Sequence, residues 1–240
     1  MRKKLIYVYF INLLFYSIVA NAQNTPVVND SIRQDDAYGL RIGLDLQNLV
    51  TTATNPYYRG FELMGDFRVS KNKFIAVELG NQKKTFSNQS ITTTTNGSYI
   101  KLGLDHNAYK NLIGLRNVIF VGLRYGYANF SQSLDEYSIA TQDNFFGVDT
   151  YNPQFHEDNL SAHWAELIAG LKVEVFNNLY LGFSVSLQRN LGNQNPIDFD
   201  NLYIPGYGTT NDYGDLSAGY RYFIEYFIPI FKKNYSIKEL

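Results

Sequence analysis

Between Tyr38 and Phe231 the chain alternates apolar and polar residues in eight separate runs, and within each run the charges fall on one face only. The first run sets Tyr38, Leu40, Ile42, Leu44 and Leu46 against Gly39, Arg41, Gly43 and Asp45. The last sets Leu216, Ala218, Tyr220, Tyr222, Ile224, Tyr226 and Ile228 against Ser217, Gly219, Arg221, Phe223, Glu225 and Phe227. The six between them cover 61–69, 74–79, 99–105, 119–127, 165–175 and 179–187. A period of two puts alternate side chains on opposite faces of a strand. As a helix, 216–228 would carry apolar residues around its whole circumference, and interior glycines weaken helices. The pattern therefore predicts eight amphipathic strands.

Alternation alone does not say which face looks inward. A water-soluble barrel turns its apolar face in; a membrane barrel turns it out. Three features favour the membrane. The apolar face carries no charge across the centre of any run, while charges of both signs collect on the other. The charged face interleaves Gly with Arg, Lys, Asp and Glu, which suits a narrow, filled interior. The connections also alternate in length. Val69 to Lys73 and Phe176 to Asn178 are tight, and His106 to Asn117 is intermediate. Gln47 to Tyr58, Gly80 to Gly97, Asn129 to Ser161 and Gln188 to Asp215 are long. Short turns on one rim and long loops on the other are the pattern of an outer-membrane barrel. The expected fold is all-β: an eight-stranded antiparallel transmembrane β-barrel with a filled, charged lumen, short periplasmic turns and long extracellular loops.

The inward face is predicted to carry the cations Arg41, Arg68, Lys101, Arg124, Lys172 and Arg221. Its anions are Asp45, Glu62, Asp66, Glu78, Asp105, Glu166, Glu174 and Glu225. Eight strands enclose a space that side chains just fill, and an isolated buried charge is costly. These fourteen residues are therefore expected to form a lumen charge network that plugs the barrel, the alternative being an ion or proton path. No catalytic residue, metal ligand or cofactor is assigned. The net charge of −1 gives no reason to expect a nucleic-acid partner. With no cysteine, disulfides, thiolate metal sites and lipoprotein-type acylation are excluded.

The N-terminus has a different character. Arg2, Lys3 and Lys4 precede an apolar stretch from Leu5 to Val19, and Ala20-Asn21-Ala22 has the small-x-small form of a cleavage site. The predicted organisation is a signal peptide over 1–22, a periplasmic segment over 23–37, the barrel over 38–231 and a periplasmic tail over 232–240. No later stretch is apolar for long enough to cross a bilayer as a helix.

With these features the chain resembles the small eight-stranded outer-membrane β-barrel proteins, a porin-like fold, and more narrowly a barrel family of the Bacteroidota. Asp30-Ser31-Ile32 is similar to the O-glycosylation sequon of that phylum, which makes Ser31 a candidate modification site. The closing strand resembles the C-terminal insertion signal of such barrels, but KKNYSIKEL follows Phe231, a departure from the usual pattern. The resemblance implies integral residence in the outer membrane after Sec export. It implies contact with outer-membrane lipid and lipopolysaccharide, and other outer-membrane proteins as partners. The role it favours is a non-enzymatic accessory subunit of an outer-membrane complex, such as the machinery that assembles outer-membrane proteins. A stand-alone structural or adhesive surface barrel is the alternative.

A lipid A-modifying hydrolase is a further alternative, with Ser161 and His163 as nucleophile and base and Asp158 as the orienting acid. The third long loop is acidic, with Asp135, Glu136, Asp143, Asp149, Glu157 and Asp158 and no Lys or Arg. The fourth adds Asp198, Asp200, Asp212 and Asp215. Phe145, Phe146, Tyr151, Phe155, Tyr203, Ile204 and Tyr207 give these loops aromatic and aliphatic surface, for packing between loops or onto a partner. No EF-hand spacing supports a Ca²⁺ site.

Overall fold

The computed structural model describes residues 34–235, apart from 89, 110–115, 140–148, 154, 197–198 and 211–213. The expected leader over 1–22, Ser31, Asp143, Phe145, Phe146, Asp198 and Asp212 lie outside the described residues. In chain order the elements are β1 (Gln34–Asp45), α1 (Leu46–Thr54), β2 (Tyr58–Ser70), β3 (Lys73–Ser87), β4 (Ile91–Asn107) and β5 (Val118–Ile139). Then come β6 (Asp149–Tyr151), β7 (Phe155–Phe176), β8 (Leu179–Asn193), β9 (Tyr203–Ile204), β10 (Gly208–Thr209) and β11 (Leu216–Tyr235).

Eight strands close a ring in the order β1-β2-β3-β4-β5-β7-β8-β11, with β11 returning to β1. Neighbours run antiparallel, as in Arg41↔Asp66, Glu78↔Lys101, Arg124↔Glu166 and Arg221↔Ser184. β6 pairs with the end of β5, and β9 and β10 form a separate two-stranded ribbon. Closure leaves the main sheet without a free edge. Residues 71–72 and 177–178 make two-residue turns on one rim. Asn178 takes a φ of 64°, a conformation Asn tolerates better than most residues. Its backbone N–H donates to Glu174 Oε1 at 2.8 Å.

The wall has the polarity of a membrane barrel. Leu104 and Leu123 are 62% and 65% exposed on the outside, while Glu78 and Glu225 on the inside are each 2% exposed. Within the apolar belt the charges of β1–β5, β7 and β11 lie on the inner face, and the same stretch of β8, over 179–187, carries none. A water-soluble barrel would reverse this. The glycines of the charged face make room for bulk. A Cβ on Gly126 would lie 2.1 Å from the Trp164 ring, and one on Gly182 would lie 2.2 Å from the Phe223 ring.

The strands run well past the apolar band, which the alternation in the sequence does not foresee. β5 and β7 have 22 residues each, about twice the 9–11 that cross a bilayer. Most of the stretches expected as loops over 80–97 and 129–161 are strand. The outward residues there turn polar: Asn81, Lys83 and Thr85 on β3, Ser98, Asn96 and Thr94 on β4, and Ser131 and Ser133 on β5. The inward residues stay buried, with Thr93, Thr95, Gln132 and Phe130 all at 2% exposure or less. The barrel thus rises beyond its apolar belt as a polar-walled cup. α1 and the β9–β10 ribbon belong to this end. α1 is capped by Asp45, whose side chain accepts from the Asn48 N–H at 2.8 Å.

Candidate functional site

Two ion clusters fill the bore. In the lower one, nearer the short turns, Arg41 Nε donates to both Asp66 oxygens at 2.8 and 3.0 Å. Lys172 Nζ reaches Asp66 at 2.6 Å and Glu225 at 2.8 Å. Asp66 on β2 and Lys172 on β7 stand on opposite walls of the ring, so their contact spans the bore. Arg41 lies over the Phe74 ring at 4.5 Å, and Lys172 lies near Phe120 and Phe223 at 5.3 and 5.4 Å. These rings and Met64, Val118 and Ile168 supply the apolar packing at this level.

The upper cluster is organised around Glu78. Its carboxylate receives Arg221 through two nitrogens, both at 2.6 Å, and Arg124 Nε at 3.0 Å. Lys101 Nζ stands 3.4 Å from Glu78 and 3.4 Å from Glu166. Arg124 grips Asp105 in a bidentate pair at 2.6 and 2.9 Å. Arg221 also donates to Glu62 at 2.7 Å, and the Tyr99 hydroxyl donates to the other Glu62 oxygen. The cluster holds three cations, Lys101, Arg124 and Arg221, and four anions, Glu62, Glu78, Asp105 and Glu166. Between the clusters a void of about 10 Å³ remains, room for about one water molecule.

Of the fourteen residues singled out in the sequence, eleven meet in these clusters. The other three have different surroundings. Asp45 caps α1. Glu174 holds the turn at Asn178. Arg68 donates to the backbone oxygens of Ala37, Ser70 and Lys71 and lies over the Tyr38 ring at 4.9 Å. Tyr38 is buried there and stacks on Phe231, although its parity belongs to the outward face.

Above the upper cluster lies a cavity of about 270 Å³ in the cup. Gln82 organises its wall. Gln82 Oε1 accepts from the Tyr203 hydroxyl at 2.6 Å and from the Gly206 N–H at 2.9 Å. Its Nε2 donates to Asn48 on α1 at 3.3 Å and to the Tyr99 hydroxyl at 3.4 Å. Asn48 also accepts from the Tyr58 hydroxyl. Gln82 thus ties the ribbon and α1 to the wall of β3. Tyr203, Ile204 and Tyr207 are buried in the cup, Tyr207 edge-on to Trp164 at 6.0 Å, whereas Tyr151 and Phe155 are exposed. Burial pushes the Tyr203 phenol well above its usual range and lowers the Lys84 ammonium beside it, 4.6 Å from the Tyr203 ring.

Ser161, His163 and Asp158 do not assemble. Ser161 Oγ donates to Gln194 at 3.1 Å, and His163 lies by the Tyr125 ring. Asp158 instead contacts His156 Nε2 at 3.0 Å, and His156 Nδ1 lies 2.9 Å from Ser133 Oγ. His156 and Asp158 are exposed by half or more on the outer face of the cup. Ser133 meets His156 only through the β5–β7 register. Among the described residues no group of three or more His, Asp or Glu is placed to hold a metal ion.

The architecture defines a class: a closed eight-stranded β-barrel with an apolar outer wall, an ion-filled bore and a polar cup. The chain belongs to the family described as a domain of unknown function, DUF6048, whose model matches residues 2–233. No curated protein matches it. Similar solved structures include Ail, the attachment invasion locus protein of Yersinia pestis. That match has 12% identity, a TM-score of 0.39, and covers 81% of this chain and 99% of that one. Another is Acinetobacter baumannii CarO2, with 9% identity, a TM-score of 0.36, and coverage of 81% and 100%.

Proposed function

We propose that this chain is an integral barrel of the outer membrane of Bacteroidota, exported through the Sec route by the segment over 1–22. The short turns face the periplasm and the cup faces outward. The apolar wall meets outer-membrane lipid and lipopolysaccharide. The barrel carries out no chemistry of its own. It works through other outer-membrane proteins, as an accessory subunit of a complex such as the outer-membrane protein assembly machinery. The observation that carries this reading is the filled bore. Where Lys172 and Asp66 meet across the diameter and the residual void is about 10 Å³, nothing passes through, and action is left to the surfaces. Affinity purification from native membranes tests it. A stoichiometric outer-membrane partner is expected, and recovery of the barrel alone would sink the subunit role.

The cup favours a second reading, a stand-alone barrel that binds at the cell surface. Its cavity opens away from the short-turn rim and is lined by amides, hydroxyls and aromatic rings. Glycosylation at Ser31 accompanies either reading, and an intact mass equal to that of the bare chain beginning at Gln23 would remove it.

A further inference from the structure

The cavity in the cup is built more specifically than a solvent-filled mouth requires, and its chemistry is selective. Its charges are matched: Asp45, Glu62 and Glu166 face Lys84, Lys101 and Arg221. All but Lys84, which lies over the Tyr203 ring at 4.6 Å, are also engaged with polar or charged partners. Asp45 caps α1, Arg221 is held by Glu62 and Glu78, and Lys101 stands between Glu78 and Glu166. A cationic ligand would have to break one of these pairs, an anionic one would have Lys84 alone, whose charge burial disfavours, and the balanced lining gives neither a net attraction.

What remains unspent is hydrogen-bonding capacity. Gln47 Oε1 is a buried atom that accepts no hydrogen bond among the described residues. Glu166 Oε2 is another, on a side chain only 2% exposed and 3.4 Å from Lys101 Nζ. Both are acceptors on residues that line the cavity, so a matching occupant brings donors. Ser186 and Gln188 beside them both donate and accept, as hydroxyl groups do. The ring of Tyr207 completes an aromatic side. At about 270 Å³ the space sits at the small end of ligand pockets, which run upward from about 300 Å³. It suits one or two sugar rings, whose hydroxyls and apolar faces match a lining of amides, hydroxyls and tyrosine rings.

The geometry points to a binding site for a small neutral saccharide in this cup, with Gln47 and Glu166 accepting from ligand hydroxyls. The inference does not depend on a partner complex, so the two stand or fall separately. Gly219 provides the means to close the site. It lines the cavity, and a Cβ there would meet only Ser186 Oγ at 2.9 Å and Gln188 Nε2 at 4.0 Å. A larger side chain at this position projects into the empty space.

The experiment uses the full barrel folded in a sugar-free detergent such as lauryldimethylamine oxide. Saturation-transfer NMR is run with neutral hexoses, N-acetylhexosamines and neutral disaccharides, against arginine, glutamate and inorganic phosphate. At least one neutral sugar is expected to receive saturation from the wild-type barrel. That signal should vanish in Gly219→Phe, and Gln47→Leu should weaken binding by about tenfold, the scale of one lost hydrogen bond. Gln47 lies on α1, outside the barrel wall, so this variant carries the test if Gly219→Phe does not fold. Silence from every neutral sugar overturns the proposal, and would mean that the cup holds water alone. So would a signal confined to the charged probes, or a sugar signal that both variants leave unchanged.

Discussion

Replacing Arg221 by Met removes one cation from a cluster that already has fewer cations than anions. In the native barrel three cations face four carboxylates. Arg221→Met leaves two against four. Glu62 loses its guanidinium, and Glu78 loses two of its three arginine hydrogen bonds. Breaking a buried pair by removing one partner costs about 3–5 kcal/mol, because the other charge is stranded. At about 4 kcal/mol the unfolding constant rises roughly a thousandfold.

The double variant Arg221→Met/Glu62→Gln leaves two cations against three carboxylates, the same net charge as the native cluster. It deletes a second native group and yet should be more stable than Arg221→Met, by about 2 kcal/mol, within the range of coupling between groups in one network. Urea unfolding in detergent or vesicles reads this directly. Trp164 is the only tryptophan in the chain and is 1% exposed inside the barrel, so its fluorescence follows the loss of the lumen. If the two substitutions simply add, or if Arg221→Met costs less than about 1 kcal/mol, the carboxylates are individually solvated and the bore is not dry.

Three other outcomes follow from the same geometry. In planar bilayers the native barrel should show no stable, discrete conductance, since the two clusters leave a void of only about 10 Å³; regular channel steps would contradict a filled bore. Gly126→Val and Gly182→Val should each lower stability by about 1–3 kcal/mol in the same urea assay, because their added atoms collide with Trp164 and Phe223. Gly214→Val, with nothing within 4 Å of its Cβ, should stay within about 0.5 kcal/mol of native. Asp45→Ala should leave the barrel intact but cost α1 about 1 kcal/mol of local stability through loss of its cap. Amide exchange over 46–54 should then be roughly fivefold faster, measured by mass spectrometry; unchanged exchange would show that the ribbon and wall, not the cap, hold the helix.

The alternation in the sequence was sufficient to orient each strand, because a charge in the lipid-facing row would be costly in every one of the eight. It was not sufficient to find the cup. The outward row changes from Leu79 to Asn81 and Lys83, and from Ile100 to Ser98 and Asn96. Once both faces are polar, alternation disappears from the sequence although the strand continues. Gln82 shares the parity of Glu78 and lies one inward step beyond Gly80, in a stretch that reads as loop. Only the hydrogen bonds that close its side chain against Tyr203, Gly206 and Asn48 reveal it as the organiser of the cavity wall.

α1 was hidden for a related reason. LQNLVTTAT carries β-branched residues that weaken helical propensity, and its support is supplied from outside, by Asp45 and the Gly60–Thr52 contact. The ion clusters illustrate a different limit. Parity placed Arg221 and Glu225 on the inner face, but the offset of four positions between them sends them to different clusters, one to Glu78 and the other to Lys172. Which cation meets which anion depends on the radius of the closed ring and the stagger of its strands. No local stretch of sequence contains either quantity, and both are fixed only when β11 meets β1.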